Sequence, residues 1–212
     1  MSPRKRNKTT LFVTFEGIDG CGKTTQAILV YKLLKGAGYQ IKMLREPGST
    51  QVAERIRKIL LDPSVDIGPI TELLLYEAAR ADVTASEIAP ALGRGEIVLC
   101  DRFFDSTTAY QGFGRGLDVP MVRRLHRVAV GPIRPDLTLL FDIDLATATH
   151  RRKEQPDRLE LQSSAFFDRV RRGFLEIARK ERRRVKVVDA TGTIDDVFAE
   201  VRKILSRRIE LP

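Results

Sequence analysis

The sequence predicts an α/β domain built on a parallel sheet with helices on both faces. Two observations carry this. Five short, near-continuously apolar runs alternate with segments of helical periodicity. Strands that are apolar at successive rather than alternate positions belong to sheets covered on both sides, as parallel sheets are. A third observation sets the scale: 212 residues, 42% of them hydrophobic, suffice for one large domain with a substantial core. No internal repeat and no linker divides the chain.

In order, Leu11–Phe15 reads as the first strand, and Lys23 to about Lys35 as a helix with Ala27, Val30 and Leu34 on one face, stopped by Gly36 and Gly38. Tyr39–Leu44 reads as a second strand. Thr50–Leu61 carries Val52, Ile56, Ile59 and Leu60 on one helical face, and Ile70–Leu92 is a longer helical stretch bent or ended near Pro90. Ile97–Cys100 and Leu137–Ile143 are strands three and four, with a helix started by Pro120 between them. Phe166, Phe167, Val170, Phe174, Ile177 and Ala178 define a strongly amphipathic helix. Val185–Val188 is the fifth strand and Ile194–Leu205 a closing helix.

The formal charge of +9 is unevenly placed. Residues 1–8 hold +4 and residues 151–184 hold +6, so the rest of the chain is close to neutral. A nucleic-acid binder more often spreads a basic stripe interleaved with aromatic residues over one face. The first ten residues are expected to be a solvated, disordered basic tail with no assigned role. No apolar run approaches the ~20 residues needed to span a bilayer. The basic start is not followed by the apolar stretch of a secretion signal, and two cysteines make no disulfide framework. A reducing cytoplasm is therefore the expected compartment, with Cys21 and Cys100 as small buried thiols.

The strongest chemical signal follows the first strand directly. Gly17-Ile-Asp-Gly-Cys-Gly22-Lys23-Thr24 matches G-x-x-x-x-G-K-[ST] between an apolar strand and an amphipathic helix. The glycines let backbone N–H groups wrap a phosphate, and the helix N-terminus adds a favourable field. Lys23 can then reach the β- and γ-phosphates and the Thr24 hydroxyl can ligate Mg²⁺. At the end of the third strand, Asp101 is placed to hold the same metal, and Arg102 to clamp a second phosphate bidentately. The guanine-reading N-K-x-D pattern of GTPases is absent, since the sole asparagine is Asn7. Four basic residues in 151–158 lie where an arm could close over the triphosphate.

Taken together, these segments resemble bacterial thymidylate kinase. The resemblance rests on Glu16-Gly-Ile-Asp-Gly-Cys-Gly-Lys-Thr-Thr25, Arg45-Glu-Pro-Gly48, Asp101-Arg-Phe-Phe-Asp-Ser-Thr107 and Ala109-Tyr-Gln-Gly-Phe-Gly-Arg-Gly116, with Asp157-Arg-Leu-Glu160 matching the end of the family's lid. It runs from about residue 11 to 208. The Asp-Arg-Phe and Ala-Tyr-Gln-Gly segments are far more specific than the P-loop, which many families share.

The resemblance implies a three-layer P-loop kinase fold with sheet order 2-3-1-4-5, a single domain over 11–208 and a small lid near 146–162. It implies transfer of the ATP γ-phosphate to dTMP, in dTTP biosynthesis, with Mg²⁺ as cofactor and a homodimeric assembly. ATP would be held by Gly17, Ile18, Asp19, Gly20, Cys21, Gly22, Lys23, Thr24 and Thr25. Asp19 would sit near the deoxyribose 3′-hydroxyl and the metal. Arg102 and Arg45 would hold the acceptor phosphate, and a cis bond before Pro47 would place Glu46 against the nucleotide. Tyr76 would stack on thymine, Arg80 would donate to its carbonyl, and Ser106, Thr107 and Gln111 would complete the dTMP contacts. Tyr110 would crowd the 2′ position. Gly20 occupies a place where some relatives carry an arginine, so the transition-state cation would come from the lid: Arg151, Arg152 or Arg158, acting with Lys23, Asp19 and Arg102. Ser49 departs from the glycine that many relatives carry. Two alternatives stay open on sequence alone: a kinase for another pyrimidine nucleoside monophosphate, and a nucleotide-dependent switch whose basic tail engages nucleic acid.

Overall fold

The structure is a computed structural model that describes residues 10–151 and 157–211. The basic tail up to Thr9 and the lid residues 152–156, Arg152 among them, lie outside the described residues.

Five parallel strands, β1 (Leu11–Glu16), β2 (Ile41–Arg45), β3 (Ile97–Asp101), β4 (Leu137–Asp142) and β5 (Val185–Asp189), form one sheet in the order β2-β3-β1-β4-β5. The expected fold class and order are both met. β1 lies at the centre and is buried along its whole length, which is why its sequence is apolar at successive positions. Phe15 and Phe141 stack between β1 and β4 at 6.3 Å, and Phe12 and Phe103 meet edge-on at 5.0 Å. These two contacts belong to the two core layers, one on each face of the sheet.

The helices are α1 (Lys23–Gly36), α2 (Gln51–Leu61), α3 (Pro69–Val83), α4 (Ala89–Gly93), α5 (Phe104–Thr107), α6 (Val119–Val130), α7 (Leu145–Arg151), α8 (Ser164–Lys180) and α9 (Ile194–Leu205). Side chains of Thr50, Asp118, Ser163 and Thr193 cap α2, α6, α8 and α9. The long stretch before Pro90 runs as α3, a π-helical turn at Thr84–Ile88 and α4. The widened turn absorbs the missing N–H and the ring of Pro90 without a break. A second π-helical segment, Thr108–Gly114, extends α5 and buries nearly every residue it contains. That element and α7 carry no plain amphipathic repeat and were not expected from periodicity.

Much of the positive charge of 151–184 is consumed internally. Arg171 pairs with Asp142, Arg184 with Asp105 and Glu181, Arg179 with Glu176, and Arg169 donates to the Gly114 carbonyl. Among the described residues, no helix is long and apolar enough to cross a membrane.

Candidate active site

β1 and β3 end side by side at the carboxyl edge of the sheet, where the order reverses about β1 and a crevice opens. The loop after β1 turns through Gly20 and Gly22, both at positive φ (87° and 89°). An added Cβ at Gly20 would stand 2.1 Å from the Ala148 carbonyl oxygen of α7, so the lid helix packs directly on the loop. A Cβ at Gly22 would meet nothing within 4 Å, as expected of a loop that leaves room for a ligand at the N-terminus of α1. Ile18 and Cys21 point into the core, which leaves their backbone to the cradle.

Lys23 Nζ stands 3.1 Å from Asp19 Oδ1, and Arg102 Nη2 donates to the same oxygen at 2.7 Å. Burial alone would raise the Asp19 pKa. The Arg102 and Lys23 cations outweigh it and hold the carboxyl far below the usual range. Asp19 thus links the P-loop lysine to the arginine after β3. Arg102 takes a left-handed backbone conformation (φ 68°) that aims its guanidinium back across β1. There it donates to the Gly17 carbonyl and to Ser106 Oγ, both at 2.9 Å, and lies over the Tyr110 ring.

This turn is held by Glu16, which the sequence reading passed over as part of a motif. Its fully buried carboxyl accepts from the Phe103 N–H at 2.7 Å and from Ser106 Oγ at 2.5 Å. Burial, then the charge of Asp105, pushes its pKa up to about 8.

The Thr24 hydroxyl donates to Asp101 Oδ2, while Asp101 Oδ1 is buried with no hydrogen-bond partner among the described residues. A hydroxyl, a carboxylate and an unpartnered buried oxygen beside a phosphate cradle suit a hard, oxygen-preferring divalent cation. No cluster of three or more His, Cys, Asp or Glu that could hold a metal occurs among the described residues. A Mg²⁺ ion held partly by nucleotide phosphates does not need one.

Three connected hollows run through the crevice. One, of about 630 Å³, lies between the P-loop residues Gly20–Gln26 and the β5–α9 turn, with Arg151 at its rim. The middle one, of about 530 Å³, is bordered by Lys23, Thr24, Asp101, Asp19, Arg45, Arg57, Arg102 and Arg151. The third is a narrow slot of about 70 Å³ walled by Tyr76, Arg80, Phe103, Thr107, Tyr110 and Gln111, with Glu46 and Pro47 at its mouth. The Glu46–Pro47 peptide is cis, as expected.

Several expected residues border the crevice with their side chains already engaged by protein partners. Arg80 is 1% exposed and gives its N–H groups to Glu46 (2.8 Å), Glu77 (2.8 Å), Thr107 (2.8 Å) and the Phe103 carbonyl (3.4 Å). Four of its five N–H groups are thus engaged by the protein. Gln111 donates to Glu72 at 2.9 Å. Arg45 is half-exposed and held bidentately by Glu54.

The lid arginines need correction. Arg158 does not border the crevice. It is buried on Glu72 (2.6 Å) and on the Leu60 carbonyl (2.8 Å), so it anchors the lid to α2 and α3. Arg151 borders the P-loop hollow, but its guanidinium donates to the Ala190, Thr191 and Gly192 carbonyls.

Ser49 stands at φ 72°, a conformation that glycine adopts without strain, which gives the departure at this position a physical meaning. Its Oγ accepts from the Arg45 N–H and its own N–H donates to Glu54. Arg57 is a residue that sequence reasoning missed. It borders both the slot and the middle hollow and donates to the Pro47 carbonyl at 2.9 Å. It belongs to no motif in the sequence, and only the packing of α2 against the Pro47 loop brings it inside.

The family model described as thymidylate kinase matches residues 15–201. A thymidylate kinase of Deinococcus radiodurans is 46% identical over 200 residues, covering 93% of this chain and 97% of its own. One from Syntrophotalea carbinolica is 44% identical over 212 residues, covering 96% and 98%. The crystal structure of thymidylate kinase from Ehrlichia chaffeensis superposes with a TM-score of 0.78 at 36% identity, over 93% of this chain and 98% of that one. With the P-loop and the slot-lining residues inside one continuous match, the chain belongs to the thymidylate kinase family.

Proposed function

We propose that the protein transfers the γ-phosphate of ATP to the 5′-phosphate of dTMP, giving ADP and dTDP. The observation that carries this is the Lys23–Asp19–Arg102 bridge, which joins the phosphate cradle to a slot walled by an aromatic ring and hydrogen-bonding side chains. Donor and acceptor phosphates would meet at the bridge. The acceptor is ionised already, so no general base is needed, and catalysis is positioning plus charge stabilisation.

Lys23 would hold the β- and γ-phosphates. Arg102 and Arg57 would hold the acceptor phosphate, with Arg45 at the open side of the same hollow. Asp19, ionised between two cations, keeps both aligned. Tyr76 would stack on the base, with Arg80, Thr107, Ser106 and Gln111 around it and Tyr110 beneath the sugar. Mg²⁺ would be held by Thr24 and Asp101, and when bound it would neutralise charge on the β- and γ-phosphates. Arg151, which borders the same hollow as Lys23, would have to leave the Ala190, Thr191 and Gly192 carbonyls to meet the triphosphate. Closure of the lid would exclude water.

A panel of nucleoside monophosphates offered with ATP and Mg²⁺, read by ADP release and product identity, tests this. dTMP is expected as the preferred acceptor. Preference for dUMP or dCMP would favour a different pyrimidine kinase. Tight nucleic-acid binding without dTMP turnover would favour the switch.

We also propose a homodimer. Val52 and Ile59 on α2, Ile70 and Leu74 on α3, and Val128 on α6 are 45–82% exposed, more large apolar surface than neighbouring helices of a monomer usually leave. A cytoplasmic location suits the two buried free thiols and the nucleotide substrates.

A further inference from the structure

Behind the slot lies a buried polar chain that reaches the crevice only through Arg80. Arg80 Nη1 donates to Glu77 Oε1 at 2.8 Å, and the same oxygen receives His126 Nδ1 at 2.7 Å. His126 is 5% exposed on α6, with its ring stacked on Phe104 at 5.4 Å and its Nε2 2.9 Å from Thr108 Oγ1. Glu77 and His126 do not line the acceptor slot.

The proton assignment follows from chemistry. Arg80 and His126 together outweigh burial and hold the Glu77 carboxyl below its usual pKa, so it is ionised and can only accept. His126 Nδ1 must therefore carry a hydrogen. Burial pushes the ring toward its neutral form, so Nε2 is an acceptor, and at 2.9 Å it takes the Thr108 hydroxyl proton in preference to the Phe104 carbonyl at 3.2 Å. The chain then runs Thr108 O–H to His126 Nε2, and His126 Nδ1–H to Glu77, which receives Arg80 N–H from the other side.

This matters because Arg80 has other ways to spend its donors. It is tied to Glu46 on one side and Glu77 on the other, and the plane of its guanidinium depends on where both carboxylates sit. Glu46 follows β2 beside a cis peptide. Glu77 is set by α3 and, through His126, by α6 and the segment after β3.

We propose that His126 and Glu77 form a positioning pair that fixes the guanidinium plane of Arg80 and thereby sets affinity for the acceptor base, without touching the substrate. This rests on the dTMP reading of the slot. Neither residue contacts the P-loop hollow, so their effect falls on the acceptor and not on ATP.

The test uses a matched pair of variants of the whole protein. His126→Asn keeps an N–H near the Nδ1 position, and His126→Gln moves the amide toward Nε2 and withdraws the donor from Glu77. Steady-state kinetics with dTMP and ATP should show a KM for dTMP about tenfold higher in His126→Gln and in Glu77→Gln, with KM for ATP within about twofold of wild type. His126→Asn should stay within about threefold on both, and the Glu77→Gln/His126→Gln double variant should be no worse than either single. Thr108→Val, which removes the hydroxyl that donates to His126 Nε2, should raise KM for dTMP about threefold and is the deciding variant if the His126 forms do not fold.

An unchanged KM for dTMP in His126→Gln and Glu77→Gln overturns the proposal, as do equal effects of Asn and Gln at 126, or parallel rises in both KM values. A wild-type protein that does not phosphorylate dTMP instead overturns the reading of the slot, so the two failures are separable.

Discussion

At the residue scale, the crevice is organised around ionised Asp19, and its neighbours divide the labour. Replacing Lys23 with Met removes the cation proposed to hold the transferred phosphate while leaving Asp19 paired to Arg102. Turnover should fall on the order of a thousandfold, measured by coupled ADP release, with the fold intact by circular dichroism. Replacing Arg102 with Ala should instead lower kcat/KM for dTMP about a hundredfold, with KM for ATP within about threefold.

Glu16 gives a pH signature. Its pKa is raised in the folded protein to about 8 from 4.5, so its contribution is fully present below pH 4.5 and is lost as pH rises to about 8. Glu46, raised to about 7, acts in the same direction over a shorter range. Urea unfolding midpoints should fall between pH 5 and 8 in the wild type. In Glu16→Gln, which mimics the protonated carboxyl, the remaining fall should be the part due to Glu46, and an undiminished fall would remove Glu16 from the account. The P-loop, Asp101 and Arg102 were legible in sequence because their chemistry depends on local spacing next to a strand. Glu16, Arg57, Glu77 and His126 were not, because each acquires its role from a partner distant in the chain.

At the element scale, α3 carries three layers of function on successive turns. Glu72 faces the lid, Tyr76 and Arg80 the slot, and Glu77 the interior behind it. Glu72 is fully buried and holds Arg115 and Arg158 together with Gln111, which ties the lid and the segment after β3 to one carboxylate. Glu72→Ala would leave two cations uncompensated, at a cost of about 3 kcal/mol. The melting temperature should drop by roughly 10 °C, and hydrogen exchange should rise at 157–162. Unchanged exchange there would dissociate Glu72 from lid anchoring. Periodicity located the helices that cover the sheet, because each buries one stripe. It could not locate Thr108–Gly114, which is buried all round, or α7, which is short and packs on a glycine loop. The reading of Arg158 as a phosphate ligand failed for a related reason: the sequence offered a lid arginine, and the buried acid that claims it lies 86 positions earlier on α3.

At the scale of the whole molecule, the sheet order places both phosphate-handling loops beside the central strand, and the helices α2, α3 and α6 expose the apolar side chains that should pair two copies. Leu74→Glu combined with Val128→Glu should convert a dimer to a monomer in sedimentation velocity, and a wild-type monomer at micromolar concentration would refute that assembly. Several cations of the basic segment 151–184 are engaged within the molecule, on α8 and just before β5. The most direct test of the central claim follows the transferred group itself. With γ-labelled ATP, Mg²⁺ and dTMP, the label should appear in the β-phosphate of dTDP in step with ADP, and the transfer should stop with chelator. Label released as inorganic phosphate, or left on ATP while dTMP stays unchanged, would contradict it.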